Sequence, residues 1–141
     1  MSEENVELHR RAIEAFNARN IEALITRFFD PSIELHTAFE AVSGVYHGHD
    51  GVRRWHRDLE DAWGDEIRIE PKAYFDLGEH TLLSYVFRGR GLQSGAEVAM
   101  PRAQVFRWRD GLCIYVRVYA HREDALKDLG VSEDELEPIA P

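Results

Sequence analysis

Residues 28–37 read FFDPSIELHT, and this stretch decides how the chain is built. It ends a helical segment at Asp30-Pro31, because the residue before a proline is disfavoured in helical conformation. A strand follows over about residues 33–37 and carries His36. The unperturbed pKa of histidine lies near neutral pH, so an enclosed His36 is a candidate proton carrier. The alternative is a histidine at a rim or facing water that titrates normally.

The segment upstream of this strand predicts two helices. Val6, Ile13 and Phe16 recur at helical spacing and define one buried face. Asn20 can cap a second, shorter helix. Downstream of the strand, a third apolar stripe predicts a helix that begins near Asp50 as its N-cap.

The second half of the chain predicts strands. Residues 80–91 form an almost continuous apolar run, and Asp110-Gly111 is a strong hairpin signal between two further strands. A short helix closes the chain. Helices beside a run of antiparallel strands indicate one α+β domain over residues 1–141. A curved antiparallel sheet wrapped over three N-terminal helices would leave a cone-shaped hollow between them.

Composition and charge restrict the partners. The 141 residues are 44% hydrophobic and 30% charged, which is typical of a globular protein. The 26 acidic and 17 basic residues give a net charge of -9, which argues against nucleic acid or an anionic membrane surface. The single cysteine, Cys113, cannot form an internal disulfide. With no long apolar run and an acidic start, a cytoplasmic location is expected.

His47, His49 and Asp50 have a superficial likeness to a metal site. Two alternate histidines without cysteine are a poor zinc pattern, and Asp50 is expected to serve as a helix cap. No phosphate-binding loop, nucleotide fingerprint or Ser-His-Asp arrangement is recognisable. We therefore expect neither a metal nor a cofactor.

Five features in order resemble the nuclear-transport-factor-2-like superfamily, and within it the SnoaL-like group related to ketosteroid isomerases and polyketide cyclases. They are the paired N-terminal helices and the segments FFDPSIELH (28–36), YHGHDGVRRW (46–55), AQVFRWRDG (103–111) and VRVYAHREDALKDLG (116–130). The resemblance implies a cystatin-like α+β barrel, commonly dimeric through the outer sheet face. It implies no single activity, because the fold hosts several.

The resemblance also assigns positions one at a time. His36 falls where ketosteroid isomerases place their aspartate base, and His56 where they have a pocket tyrosine. Gln104 falls at their protonated oxyanion-holding acid, and Ala12 at their principal oxyanion tyrosine. A titratable group is thus kept at the base position while both oxyanion donors are replaced. A true steroid isomerase is not expected.

Alternation along the strands predicts which side chains enter the hollow. The polar residues expected there are the candidate catalytic residues His36, His56, Arg102 and Gln104, together with Tyr85. The apolar wall and ligand-binding set is expected to be Trp55, Leu83, Phe87, Phe106 and Val118, with Tyr85. An apolar pocket with few polar groups is the usual form of a small-molecule site. Cys113, Tyr115, Arg117 and Tyr119 are expected on the outer face of the last strand, and the last three of them at a homodimer interface.

Each polar residue has a structural alternative. His56 and Tyr85 could be core residues with satisfied hydrogen bonds, and Gln104 could bond backbone groups. Arg102 could extend to the rim or pair with Glu97 or Glu34.

Two hypotheses follow. One is a cofactor-independent isomerase, cyclase, hydrolase or lyase acting on a small carbonyl or polyketide-like compound. In it, His36 removes a proton, His56 or Tyr85 assists, and Arg102 and Gln104 steady an oxyanion. The other is a non-catalytic domain that binds a small apolar ligand or forms a dimer.

Overall fold

Helices pack on both faces of a six-stranded sheet in the computed structural model, which describes residues 2–38, 43–91 and 95–141. The helices in these ranges are α1 (Ser2–Asn17), α2 (Ile21–Ala23), α3 (Gly48–Trp63) and α4 (Arg122–Leu129). A π-helical turn, Leu24–Phe28, continues α2, and a 3₁₀ turn, Glu133–Glu135, follows α4. No helix of the described ranges is long and apolar enough to cross a membrane.

The sheet has the order β2-β1-β6-β5-β4-β3. Its strands are β1 (Phe29–Ala38), β2 (Ser43–His47), β3 (Arg68–Leu77), β4 (His80–Arg90), β5 (Glu97–Arg109) and β6 (Leu112–Tyr119). The predicted α+β class is confirmed. The sheet is mixed, however, because β1 pairs with β6 in parallel while the other neighbours are antiparallel.

The junction between the helices and the sheet is tighter than predicted. β1 begins at Phe29, before Pro31, and its register with β6 shifts between Phe29 and Glu34. Proline has no N–H for a sheet ladder, so an irregularity here is expected. The Asp30 carboxylate accepts hydrogen bonds from both the backbone N–H and the hydroxyl of Ser32, at 2.8 and 2.6 Å.

The main core lies between α1, α3 and the inner face of the sheet. Val6, Ile13 and Phe16 are buried there, as the helical spacing predicts. A second core lies on the other face, where Leu126 of α4 covers Leu82 and Val105. The sheet is therefore sandwiched, and only its inner face can border a hollow under α1 and α3.

The start of α3 differs from the prediction. The helix begins at Gly48, and Asp50 lies within its first turn, where it bonds Arg53 at 2.7 Å instead of capping. Gly51 packs against the end of β2: a Cβ at this position would lie 3.1 Å from the carbonyl carbon of Tyr46. This close approach holds the helix against the strand before it.

The last strand also departs from simple alternation. Cys113 was expected on the outer face but is fully buried in the main core. Tyr119 lies on the outer face, as expected, where it is covered by α4 and donates a hydrogen bond to Asp128 at 2.8 Å. The register between β5 and β6 shifts between Arg107 and Trp108, and this irregularity changes the face on which Cys113 lies.

Candidate functional site

A cavity lies between α1, α3 and the inner face of the sheet. Its volume, counted as the space open to the centre of a water molecule, is about 50 Å³. Its walls are almost wholly apolar. The lining residues are Ala12, Ile13, Phe16, Leu24, Phe29, Leu35, Trp55, Leu59, Ile69, Tyr85, Phe87, Gln104, Phe106, Val116 and Val118.

Most of the predicted wall lies in this cavity. Trp55 comes from α3, and Tyr85, Phe87, Phe106 and Val118 come from the strands. Leu83 is the exception among the six predicted ligand-binding residues. It is fully buried on the same face of β4 but packs in the core and does not line the cavity.

Two polar side chains line the cavity, Tyr85 on β4 and Gln104 on β5. Both are buried. In the pairing of β4 with β5, Gln104 lies opposite Leu83, which is two residues before Tyr85 and on the same face of β4. Burial raises the pKa of Tyr85 to about 12, and the polar side chain of Gln104 nearby partly opposes that rise. Tyr85 is therefore a protonated hydroxyl at neutral pH.

A chain of buried polar groups runs behind the wall to Gln104. The indole N–H of Trp108 donates to Thr81 Oγ1 at 2.9 Å. Thr81 Oγ1 is 2.7 Å from His9 Nδ1, and His9 Nε2 is 2.9 Å from Gln104 Oε1. The four side chains come from α1, β4 and β5, so the chain ties a helix to two strands and ends at the cavity.

His9 is the centre of this chain and is completely buried. Its ring stacks on Phe106, with centroids 3.8 Å apart, and meets the edge of Tyr74. Burial lowers the pKa of His9 to about 3, although the hydrogen bond with Gln104 favours the charged form. The imidazole is neutral at physiological pH.

His36 does not face the cavity, and its expected position is wrong. Phe29 and Leu35 are the residues of β1 that line the cavity, and alternation turns His36, the neighbour of Leu35, to the outer face. There His36 Nε2 lies 2.8 Å from Glu34 Oε1, and the ring lies 5.0 Å from that of Tyr115. Its side chain is 27% exposed.

His56 lies next to the cavity without lining it. Its ring contacts those of Phe16 and Trp55, each at 6.2 Å, and both of these residues are wall residues. Burial lowers the pKa of His56, and Nδ1 lies 3.5 Å from Glu60 Oε1. This is the environment of a core histidine between α3 and α1.

Arg102 is on the inner face but at its rim. It pairs with Tyr85 across β4 and β5, donates from Nη1 to the Pro101 carbonyl at 2.8 Å and has Nη2 3.3 Å from Met100 Sδ. It borders a surface groove together with His121 and Arg122. Of the four predicted catalytic residues, only Gln104 lines the cavity.

Sequence reasoning missed His9, although a signal for it is present. His9 lies three residues after Val6 and four before Ile13, on the helical stripe that predicts burial. A histidine on such a stripe needs hydrogen-bond partners inside the protein. Its partners, Thr81 and Gln104, are 72 and 95 residues away in sequence, so the spacing could not identify them.

The arrangement offers no metal site among the described residues: no group of three or more His, Cys, Asp or Glu side chains could hold an ion. His49 instead has Nε2 2.8 Å from the Phe29 carbonyl oxygen, which ties the start of α3 to β1.

An α+β fold with an apolar hollow between helices and one face of the sheet is the architecture of the nuclear-transport-factor-2-like proteins. The SnoaL-like domain model matches residues 9–116, and the chain belongs to that family. The match begins at His9 and includes both polar cavity residues. A comparison with curated protein sequences found no match.

Solved structures show the same fold. An NTF2-like protein of unknown function from Burkholderia pseudomallei K96243 is 20% identical, with a TM-score of 0.77 over 90% of this chain and 97% of that one. TerC, co-crystallized with polyporic acid, is 16% identical, with a TM-score of 0.75 over 88% and 96%. A Xanthomonas campestris protein of unknown function with a cystatin-like fold is 17% identical, with a TM-score of 0.72 over 81% and 88%.

Proposed function

We propose that this protein binds a small, mostly apolar carbonyl compound in the cavity, with Tyr85 as the group that recognises the carbonyl oxygen. The observation that supports this is the composition of the wall. Tyr85 and Gln104 are the polar side chains in an otherwise apolar lining, and they lie next to each other. A ligand that fits such a wall is apolar apart from one polar group.

Tyr85 is suited to this task because it keeps its proton. Its pKa of about 12 leaves the hydroxyl neutral over the physiological range. A neutral phenol in an apolar site donates to a carbonyl oxygen and avoids the cost of burying a charge. The co-crystallization of the similarly folded TerC with polyporic acid is consistent with a small-molecule ligand on this fold.

The cavity supports binding more strongly than proton abstraction. Among the described residues that line it, none is charged and none is a histidine. The histidine expected as a base, His36, lies on the other side of β1 against Glu34. A reaction at a bound carbonyl would therefore have Tyr85 as a hydrogen-bond donor without a base at the wall.

The free volume limits the ligand. A space of about 50 Å³ for the centre of a water molecule accepts a small ring, and a larger ligand must move wall side chains. Cyclohexanone is a suitable test ligand because it is apolar, small and has one acceptor.

Titration of cyclohexanone into 15N-labelled protein tests the proposal. We expect saturable shifts of amides along α1, β4 and β5, and a threefold to tenfold weaker Kd in Tyr85→Phe, since a neutral hydrogen bond contributes about 0.5–1.5 kcal/mol. Tyr119→Phe is the control, because its hydroxyl bonds Asp128 on the other face of the sheet. Equal affinity of wild type and Tyr85→Phe would refute the role of Tyr85.

We also propose that the outer face of the sheet pairs with a second copy of the chain. On this face β2, β1 and β6 place three residues side by side: Val45, His36 and Arg117. Val45 is 44% exposed, unlike the other large apolar side chains of the described residues. An exposed apolar residue beside an arginine is typical of an interface. Sedimentation equilibrium should give a dimer that Val45→Glu dissociates; a monomeric wild type would contradict this.

A further inference from the structure

We propose that His9, which does not touch the cavity, fixes the orientation of the Gln104 amide, so that the site selects a carbonyl over the alcohol of the same shape. The ligand part of this inference rests on the proposed function. The direction of the hydrogen-bond chain does not, and it can be measured without a ligand.

The direction begins at Trp108. An indole N–H can only donate, so Thr81 Oγ1 must accept at this contact. Thr81 is fully buried, and within the described chain its hydroxyl has two partners, Trp108 and His9. The hydroxyl proton of Thr81 can therefore be satisfied only by His9 Nδ1, at 2.7 Å.

The next step follows from the chemistry of imidazole. A neutral imidazole has one N–H, and burial keeps His9 neutral. If Nδ1 accepts from Thr81, the proton of His9 is on Nε2. The opposite tautomer would leave the Thr81 proton buried without an acceptor, which costs the full desolvation of that group.

The Nε2–H of His9 then sets the orientation of Gln104. Its contact at 2.9 Å is made with Oε1, the acceptor end of the amide. The donor end, the NH₂ group, is turned away from His9, and Gln104 lines the cavity.

The Gln104 NH₂ group and the Tyr85 hydroxyl are hydrogen-bond donors at the wall of the cavity, and the Tyr85 oxygen is a weak acceptor beside them. A ketone, aldehyde or ester oxygen can accept from both donors. An alcohol that accepts from both, or that donates to the Tyr85 oxygen, leaves one buried proton without a partner, and that unpaired proton reduces its affinity.

The first experiment measures the tautomer of His9 in the ligand-free protein. Nitrogen-15 chemical shifts of the imidazole, read at neutral pH, distinguish a protonated Nε2 from a protonated Nδ1. We expect the proton on Nε2 and a bare Nδ1. A proton on Nδ1 would overturn the inference whatever the protein binds.

The second experiment compares affinities for cyclohexanone and cyclohexanol. Wild type should prefer the ketone by about tenfold, the effect of one unpaired buried hydroxyl proton. Thr81→Val keeps the shape of the side chain and removes the hydroxyl, so both tautomers of His9 become accessible and the ratio should fall to within about threefold. Thr81→Ser keeps the hydroxyl and should keep the preference.

The ratio of the affinities for cyclohexanone and cyclohexanol separates a positioning role of His9 from a merely structural one. A loosened fold would weaken both ligands together and leave their ratio unchanged, which would refute a positioning role for His9. If wild type binds neither molecule, the proposed function fails for this ligand class while the tautomer measurement still decides the direction of the chain. An alcohol preference in wild type would reject the inference.

Discussion

His9 lies flat against Phe106, with ring centroids 3.8 Å apart and planes inclined by 16°. Phe106 presents its ring to the cavity as wall, so the imidazole is one aromatic layer behind the ligand space. The stacked ring keeps the imidazole in register with Gln104 and excludes water from it. An apolar wall and a polar network are therefore built from adjacent residues.

Removing the Thr81 hydroxyl from this network should lower the free energy of unfolding. Thr81→Val leaves the Trp108 N–H and His9 Nδ1 without a partner, and we expect the free energy of unfolding to fall by about 2–4 kcal/mol. Urea denaturation measures it. The control is Thr26→Val, which removes an exposed hydroxyl bonded to the Glu22 carbonyl and should cost less than about 1 kcal/mol. Similar losses in the two variants would contradict the importance of the network.

His9 should also make stability depend on pH. Its pKa is lowered from 6.5 to about 3 in the folded protein, so between these values the unfolded chain binds the extra proton. The contribution of His9 is complete above about pH 6.5 and is lost as pH falls toward 3, by up to about 1.4 kcal/mol per pH unit.

The measurement is the free energy of unfolding from pH 7 to pH 4.5 in wild type and His9→Gln. A glutamine can donate and accept at this position but does not titrate, so the variant should lose stability less steeply on acidification. Other groups contribute equally to both proteins and cancel in the difference. Parallel curves would exclude His9 as a source of the acid sensitivity.

Of two neighbouring residues of β1, only Leu35 should affect ligand binding. Leu35→Ala enlarges the cavity, so it should cost about 2–4 kcal/mol of stability and favour ketones larger than cyclohexanone. His36→Ala changes the outer face and should leave the cyclohexanone Kd within twofold. Calorimetric titration of both variants checks this. A large loss of affinity in His36→Ala would restore the histidine to the site.

A glycine in α3 should resist replacement by alanine. Gly51→Ala would normally favour a helix, but its Cβ would lie 3.1 Å from the Tyr46 backbone, and we expect a loss of about 1–3 kcal/mol. Thermal unfolding measures the change. Arg57→Ala, at an exposed position of the same helix, is the control. An increase in Tm for Gly51→Ala would show that the contact relaxes freely.

The fold was readable from the sequence because periodicity reports burial. The stripe containing Val6, Ile13 and Phe16 and the Asp110-Gly111 hairpin each describe a local geometry that the structure has. The parallel pairing of β1 with β6 could not be read in this way, since pairing partners distant in sequence have no local signature.

The site was less predictable because alternation divides the residues of a strand between two faces of the sheet without indicating which face points to the core. A shift by one residue moves every side chain to the other face. The irregularity near Trp108 makes such a shift, and Cys113 was misassigned as a result. The expected position of His36 came from the family resemblance and not from alternation. Gln104 was assigned correctly because β4 and β5 pair without a shift from His80↔Arg107 to Arg90↔Glu97.

The parallel pairing has a consequence for synthesis on the ribosome. β1 ends at Ala38, and β6, against which it forms its ladder, begins only at Leu112. During translation Phe29 and Leu35 emerge long before the strand that helps to enclose them. A nascent chain halted before residue 112 should thus bind holdase chaperones through β1, and release should coincide with the appearance of β6.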